Sequence, residues 1–190
     1  MWRLRFRRWL AGRHSHVADE LRDYWRSPLP RLSSPVSSLE LLVCDGEMSG
    51  LDPGQAELLS LGWLVIRGSE QCLASAEHHL IRAEQSVGMS ATVHQLRDCE
   101  LADARALKDV LCSFLAAARG RVLVFHHAPI DAAFLNAAAL RVFGAPLLLP
   151  VIDTLALEQR LLRRHDAVVA PGALRLQACR ERYGLPTYGA

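Results

Sequence analysis

Two carboxylates one residue apart open the chemistry of this chain. The stretch Leu41-Leu-Val-Cys-Asp45-Gly-Glu47-Met-Ser-Gly-Leu-Asp52-Pro53 begins as an apolar run the length of a buried strand, Leu41 to Cys44 within a first strand Leu39 to Cys44, and the run ends on the two acids. On a strand, residues i and i+2 share a face, so Asp45 and Glu47 aim their carboxylates together. Like charges side by side repel, and a cation between them relieves that cost. Hard divalent ions prefer such oxygen ligands. Gly50, Asp52 and Pro53 then supply turn chemistry that folds the chain back. The competing structural account is a strand end whose acids are simply solvated.

A third acid stands after a second buried run. Arg121 to Phe125 (RVLVF) reads as a strand, followed by His126-His-Ala-Pro-Ile-Asp131. The Ala-rich stretch from Asp131 to Phe143 reads as a helix with Asp131 at its start, where the helix dipole favours an acid in any protein. His126 and His127 read as loop or core histidines.

The elements that must position these acids follow in order. Ala56 to Ile66 and Gln71 to Ile81 read as strands split by Arg67-Gly68-Ser69, so with the first strand they form an antiparallel meander. Asp103 to Ala118 reads as a helix whose Ala106, Leu107, Val110, Leu111, Phe114 and Leu115 share one face. Leu155 to Arg163 and Pro171 to Tyr183 read as further helices. Strand–strand–strand–helix–strand–helix indicates an α/β domain with a mixed central sheet and flanking helices.

At 190 residues and 51% hydrophobic, the chain is long enough to bury a core and too apolar to be disordered. No apolar run approaches a membrane span. Five scattered cysteines without a C-x-x-C pair exclude a disulfide frame or zinc ribbon and read as reduced thiols of a cytoplasmic protein. Charge is uneven. Residues 1–38 carry eight Arg against three acids, whereas residues 39–190 carry fourteen Lys/Arg against seventeen acids. The chain thus divides into a basic helical arm with its linker, 1–38, and an acidic body, 39–190. In the arm, Trp2, Phe6, Trp9 and Leu10 share one helical face and most of the arginines lie on the others. A helix docked on the body, a basic surface-binding helix and a targeting segment are the three accounts of it. A second short helix spans Val17 to Trp25.

Taken together, D-x-E-x-x-G-L-D-P at Asp45–Pro53 and V-x-x-H-x-x-x-D-x-x-F-L at Val124–Leu135 resemble the DEDDh (DnaQ-like) 3′–5′ exonucleases, the family of the DNA polymerase III epsilon proofreading subunit. Ser90-Ala-Thr-Val-His94-Gln-Leu is similar to the family's "IHGIT" segment, and Val151-Ile-Asp153-Thr154-Leu155 to its "DTL" segment. The resemblance covers residues 39–190. It implies an RNase H-like fold and two-metal phosphodiester hydrolysis at the 3′ end of single-stranded DNA, with RNA as an alternative strand. By the same resemblance Asp45, Glu47 and Asp131 are three of four catalytic carboxylates that hold two Mg²⁺ or Mn²⁺ ions about 4 Å apart. Met48, Ser49, Gly50 and Leu51 line the terminal nucleotide, His94 sits near the substrate end, and a polymerase or another protein is an expected partner. Phe134 packs its helix.

Two departures accompany the resemblance. Met48-Ser49 replaces the family's usual Thr-Thr, and Gly46 is small for the residue between the acids. The third motif, H-x-x-x-x-D, which supplies the general-base His and the fourth carboxylate, does not occur before Ala190; His165 is followed five residues on by Ala170. The domain therefore reads as incomplete at its C-terminus, lacking the last helix. Loss of the base alone costs about 10²–10⁴-fold. Two functions follow: an exonuclease whose remaining motif lies beyond this chain, or a catalytically impaired nucleic-acid or partner-binding module that keeps the fold.

Overall fold

The computed structural model describes residues 2–31, 33–83, 104–164 and 169–186. The segment around His94, and His165-Asp166, lie outside the described residues.

A five-stranded sheet of order β3-β2-β1-β4-β5 forms the centre. β1 (Glu40–Met48), β2 (Leu58–Arg67) and β3 (Glu70–Leu80) make the antiparallel meander expected from the Arg67–Ser69 break. β4 (Val122–Phe125) runs parallel to β1, and β5 (Val151–Asp153) parallel to β4. The strands β1, β4 and β5 thus end at the same edge of the sheet. Parallel neighbours need a crossover, and helices supply both: α3 (Leu107–Ala118) between β3 and β4, and α4 (Ala128–Phe143) between β4 and β5. This is the mixed sheet with flanking helices that the sequence implied.

The core forms where the patterns meet. Leu42 and Cys44 of β1 and Leu123 and Phe125 of β4 pack against Val110, Leu111, Phe114 and Leu115 of α3 and Leu135, Ala138, Ala139 and Phe143 of α4. Val17, Leu21, Tyr24 and Trp25, from and just before α2 (Asp19–Arg26), enter the same cluster.

Several boundaries differ from the sequence reading, each for a local reason. β1 does not stop at Cys44 but runs through both acids to Met48, because its pairing with β2 continues: Asp45 faces Gly62 and Glu47 faces Ser60. α4 starts three residues before Asp131, with Pro129 in its first turn, where a missing N–H costs nothing. α3 begins at Leu107, and Arg105, inside the expected helix, bridges to Ile81 instead; Asp103 lies outside the described residues. The last helix, α6 (Leu176–Arg182), is shorter than Pro171–Tyr183, because Gly172 takes φ +82° and residues 170–175 close as turns. It is braced on α5 (Thr154–Arg164): buried Glu158 pairs with Arg182 and accepts a 2.6 Å hydrogen bond from the Tyr183 hydroxyl.

The arm reverses the usual logic of an amphipathic helix. α1 (Trp2–Ala11) docks not through its aromatic stripe but through Leu4, Arg8 and Ala11. Arg8 is 3% exposed; its Nε donates to the Leu148 carbonyl (3.0 Å), and its Nη2 donates to the Tyr24 hydroxyl (2.9 Å). Its guanidinium also lies 4.6 Å from the Tyr24 ring centroid, which compensates its burial.

Candidate active site

The sequence places each acid at the end of an element. Asp45 and Glu47 lie near the end of β1, with a β-bulge directly after Glu47. A bulge re-aims the following backbone, so the chain turns out of the sheet at the acids. The turn is then fixed by local bonds. Ser49 Oγ accepts from the Glu57 amide (2.8 Å), and Asp52 Oδ1 accepts from Gly54 (2.9 Å). Of the four residues expected to line a terminal nucleotide, Leu51 stands 89% exposed and Gly50 is exposed beside it. Met48 and Ser49 are half-buried: Met48 packs against the core, and Ser49 spends its hydroxyl on the turn.

Asp131 comes from the first turn of α4 and is only 7% exposed. Its pKa is raised to about 6, first by burial and then by the neighbouring charge of Asp45; hydrogen bonds from its own amide and that of Gly46 work in the opposite direction, and Asp153 adds further repulsion. Crowding by side chains accounts for the small residue between the acids. A Cβ there meets Leu58 Cδ1 at 3.1 Å and Met48 Cε at 3.2 Å, and comes within 3.6 Å of Asp131 Oδ1. Gly46 therefore leaves room for the Leu58 and Met48 side chains packed beside the acids, a role distinct from added flexibility.

A fourth acid at this edge, Asp153, was legible only as part of a motif. Asp153 ends β5 directly opposite Phe125 of β4. Its Oδ1 accepts from the amides of His127 (3.0 Å), Leu155 (3.0 Å) and Ala156 (3.4 Å), so it caps α5 while holding the loop that starts α4. An acid closing a short strand that ends beside β4 is the signal that identifies it. Held by Asp153, His127 takes φ +80°, a conformation uncommon for a non-glycine residue. His126 is engaged at both ring nitrogens, with Thr154 Oγ1 at 2.9 Å and the Leu174 carbonyl at 2.8 Å. It is a strut between β4, α5 and the turn before α6, in keeping with a structural histidine. Phe134 is buried in α4.

The structure thus brings Asp45 and Asp153 each into electrostatic contact with Asp131 at the shared end of three parallel strands. Glu47 follows on β1 two residues beyond Asp45. Among the described residues, no three His, Cys, Asp or Glu side chains close to metal-ligating distance. The donor set nonetheless suits a hard cation: all the groups are carboxylates, and a cation would relieve the cost that burial, and next the charge of Asp45, place on ionised Asp131.

Residues 42–190 match the family model described as Exonuclease (RNase_T). The chain is 31% identical over 123 residues to a DNA polymerase III PolC-type of Thermotoga maritima, covering 64% of this chain and 9% of that protein. It is 30% identical over 126 residues to a DNA polymerase III subunit epsilon-like protein of Rhodobacter capsulatus, covering 65% of this chain and 18% of that protein. It therefore spans less than a fifth of these curated relatives. Among solved structures, an ExoI/SSB-Ct complex superposes with TM-score 0.68 at 11% identity over 80% of this chain and 38% of that one. Escherichia coli exonuclease I in complex with a dA16 oligonucleotide gives 0.66 at 11% identity over 80% and 37%. These two superpositions support the RNase H-like exonuclease fold.

Proposed function

The chain belongs to the exonuclease family, and on that premise we propose that it hydrolyses phosphodiester bonds at the 3′ end of single-stranded DNA, releasing mononucleotides, with divalent metal as cofactor. The observation that carries this reading is the convergence of Asp45 and buried Asp131 at one strand edge, where burial first, and then the charge of Asp45, raise the Asp131 pKa to about 6. Ligand-binding sites in sheets with parallel strands lie beyond the carboxyl ends of those strands.

In this reading Asp45, Glu47 and Asp131 would hold two Mg²⁺ or Mn²⁺ ions, while the family's third motif, which would supply the fourth ligand and the general base, is not among residues 1–190. Bound, such ions lower the pKa of a water and stabilise charge on the attacking and leaving oxygens. The protein's own share is positional. The Gly46 amide and Asp153, acting through the His127 amide, fix the Asp131 turn against β1. Exposed Leu51 and Gly50 offer the first surface to a terminal nucleotide, with His94 assigned to the substrate end by the family pattern. The likeness to PolC-type and epsilon-like polymerase III proteins makes association with a polymerase the expected context.

A second reading, a strand-end binding module without cleavage, draws on the absence of a closed three-ligand cluster among the described residues. One assay separates them. A single-stranded oligonucleotide labelled at its 3′ end is incubated with Mn²⁺ and the chain, as wild type and as Asp45→Ala. Slow release of labelled mononucleotide by the wild type, reduced by about 10²–10⁴-fold for want of the third motif and slowed further on the order of 10²-fold by Asp45→Ala, is expected. Equal release by both overturns the assignment of Asp45. Retention of the 3′ end without any release favours the binding module.

A further inference from the structure

The aromatic stripe of α1 is left without a partner by the way the helix docks. Leu4, Arg8 and Ala11 face the body, and on the opposite side Trp2 is 72%, Phe6 54% and Trp9 57% exposed, with Leu10 beside them. At 3.6 residues per turn these four positions fall within an arc of about 100°, flanked by Arg3 on one side and Arg5 on the other. Scattered exposed apolar residues carry no message, but a contiguous aromatic patch marks an interaction surface.

Charge narrows the partner. Residues 1–13 contain five arginines and no acid. Beside the stripe, a groove of about 520 Å³ between α1 and α2 is lined by Arg5, Trp9, Arg13, Arg22 and Arg26. Arg22 and Arg26 each hold an aspartate at 2.7 Å, whereas Arg5 and Arg13 have no acidic partner among the described residues. The surface therefore suits a polyanion. Nucleic-acid platforms stack bases on open ring faces. Here Phe6 stacks on Trp9 with centroids 5.9 Å apart, Arg13 lies 4.8 Å from the Trp9 ring centroid and Arg3 lies 5.7 Å from that of Trp2. Packed against one another and against these arginines, the rings form one continuous apolar surface rather than separate slots for bases, as in helices that lie in a lipid interface with arginines beside the aromatics. No helix among the described residues is long and apolar enough to cross a membrane, so contact is with the surface alone. α1 and α2 are anchored on residues 143–148, and Phe143 lies about 18 Å along α4 from Asp131.

We propose that α1 is a docking helix for an anionic phospholipid surface: Trp2, Phe6, Trp9 and Leu10 enter the interface, and the arginine groove receives lipid phosphates. Docking through this end of α4 leaves the carboxylate edge uncovered. The test is co-sedimentation of the 190-residue chain with vesicles of phosphatidylglycerol and phosphatidylcholine, against pure phosphatidylcholine, at physiological salt. A single-stranded oligonucleotide serves as a parallel ligand. Sedimentation with the anionic vesicles only is expected. The variants Trp2→Ser/Phe6→Ser/Trp9→Ser and Arg5→Glu/Arg13→Glu each lower it at least tenfold, with unchanged circular dichroism and unchanged oligonucleotide binding. These side chains are all exposed, so the core is not at stake, and the charge variant stands alone if the aromatic one misfolds. No sedimentation with anionic vesicles overturns the proposal, as does sedimentation that both variants leave intact. Loss of oligonucleotide binding in these variants without vesicle binding assigns the face to nucleic acid instead.

Discussion

Asp131 carries a cost that its position explains. A carboxylate 7% exposed beside Asp45 and Asp153 ionises only near pH 6, against 3.8 for a free aspartate. Because the folded value lies above the unfolded one, the folded chain keeps a proton that the unfolded chain has released between these pH values. Stability therefore falls as pH rises from about 4 to 6, and the full penalty is present above that range. At roughly 1.4 kcal/mol per pH unit it amounts to about 2–3 kcal/mol. Asp131→Asn, which still accepts from the Gly46 amide, is expected to stabilise the metal-free chain by about that amount at pH 8 and little at pH 4; urea unfolding with chelator checks it. A variant less stable than wild type at pH 8 contradicts the assigned penalty of burial and repulsion. At this scale the strand period made Asp45 and Glu47 legible at once, since i and i+2 share a face whatever the fold. Asp153 carried no comparable local mark, because its meaning depends on β4 lying beside β5. Arg8 was masked for a different reason: an arginine in a basic helix reads as solvated until a carbonyl at Leu148 and a ring at Tyr24 meet it.

Elements are held by a few such contacts, and their failure has a calculable size. Arg8→Ala leaves the Leu148 carbonyl and the Tyr24 hydroxyl without their donor. It should cost about 2–3 kcal/mol in chemical unfolding, whereas Arg7→Ala, fully on the surface, should stay within about 0.5 kcal/mol. Gly144 ends α4 at φ +77°, and a Cβ on it meets the His16 carbonyl oxygen at 2.7 Å. Gly144→Ala is thus expected to lower stability by at least about 2 kcal/mol through strain and through parting α4 from the segment before α2. A thermal midpoint unchanged by that substitution argues against the seam. The order of elements and the antiparallel meander were readable from apolar runs and the Arg67–Ser69 break. Helix starts were not: Pro129 looked like loop although it suits a first helical turn, and Pro171 looked like a helix start although Gly172 turns the chain away.

For the whole molecule, the sheet order decides what the acids can do. Placing β4 between β1 and β5 gathers three strand ends, and with them Asp45, Asp131 and Asp153, at one edge. The family motifs foretold that edge because each motif is a strand end or a helix start, and the parallel crossovers do the gathering. The way the arm attaches was not foretold: periodicity shows that α1 has two faces, and only tertiary packing shows which face the body takes. The central claim is that this edge holds divalent metal through Asp45, Glu47 and Asp131. Electron paramagnetic resonance titration of Mn²⁺ at pH 7.5 tests it without relying on turnover. Saturable binding by the wild type, weakened at least tenfold in Asp45→Asn and in Asp131→Asn, is the expected result. Mn²⁺ binding that neither substitution alters contradicts the account.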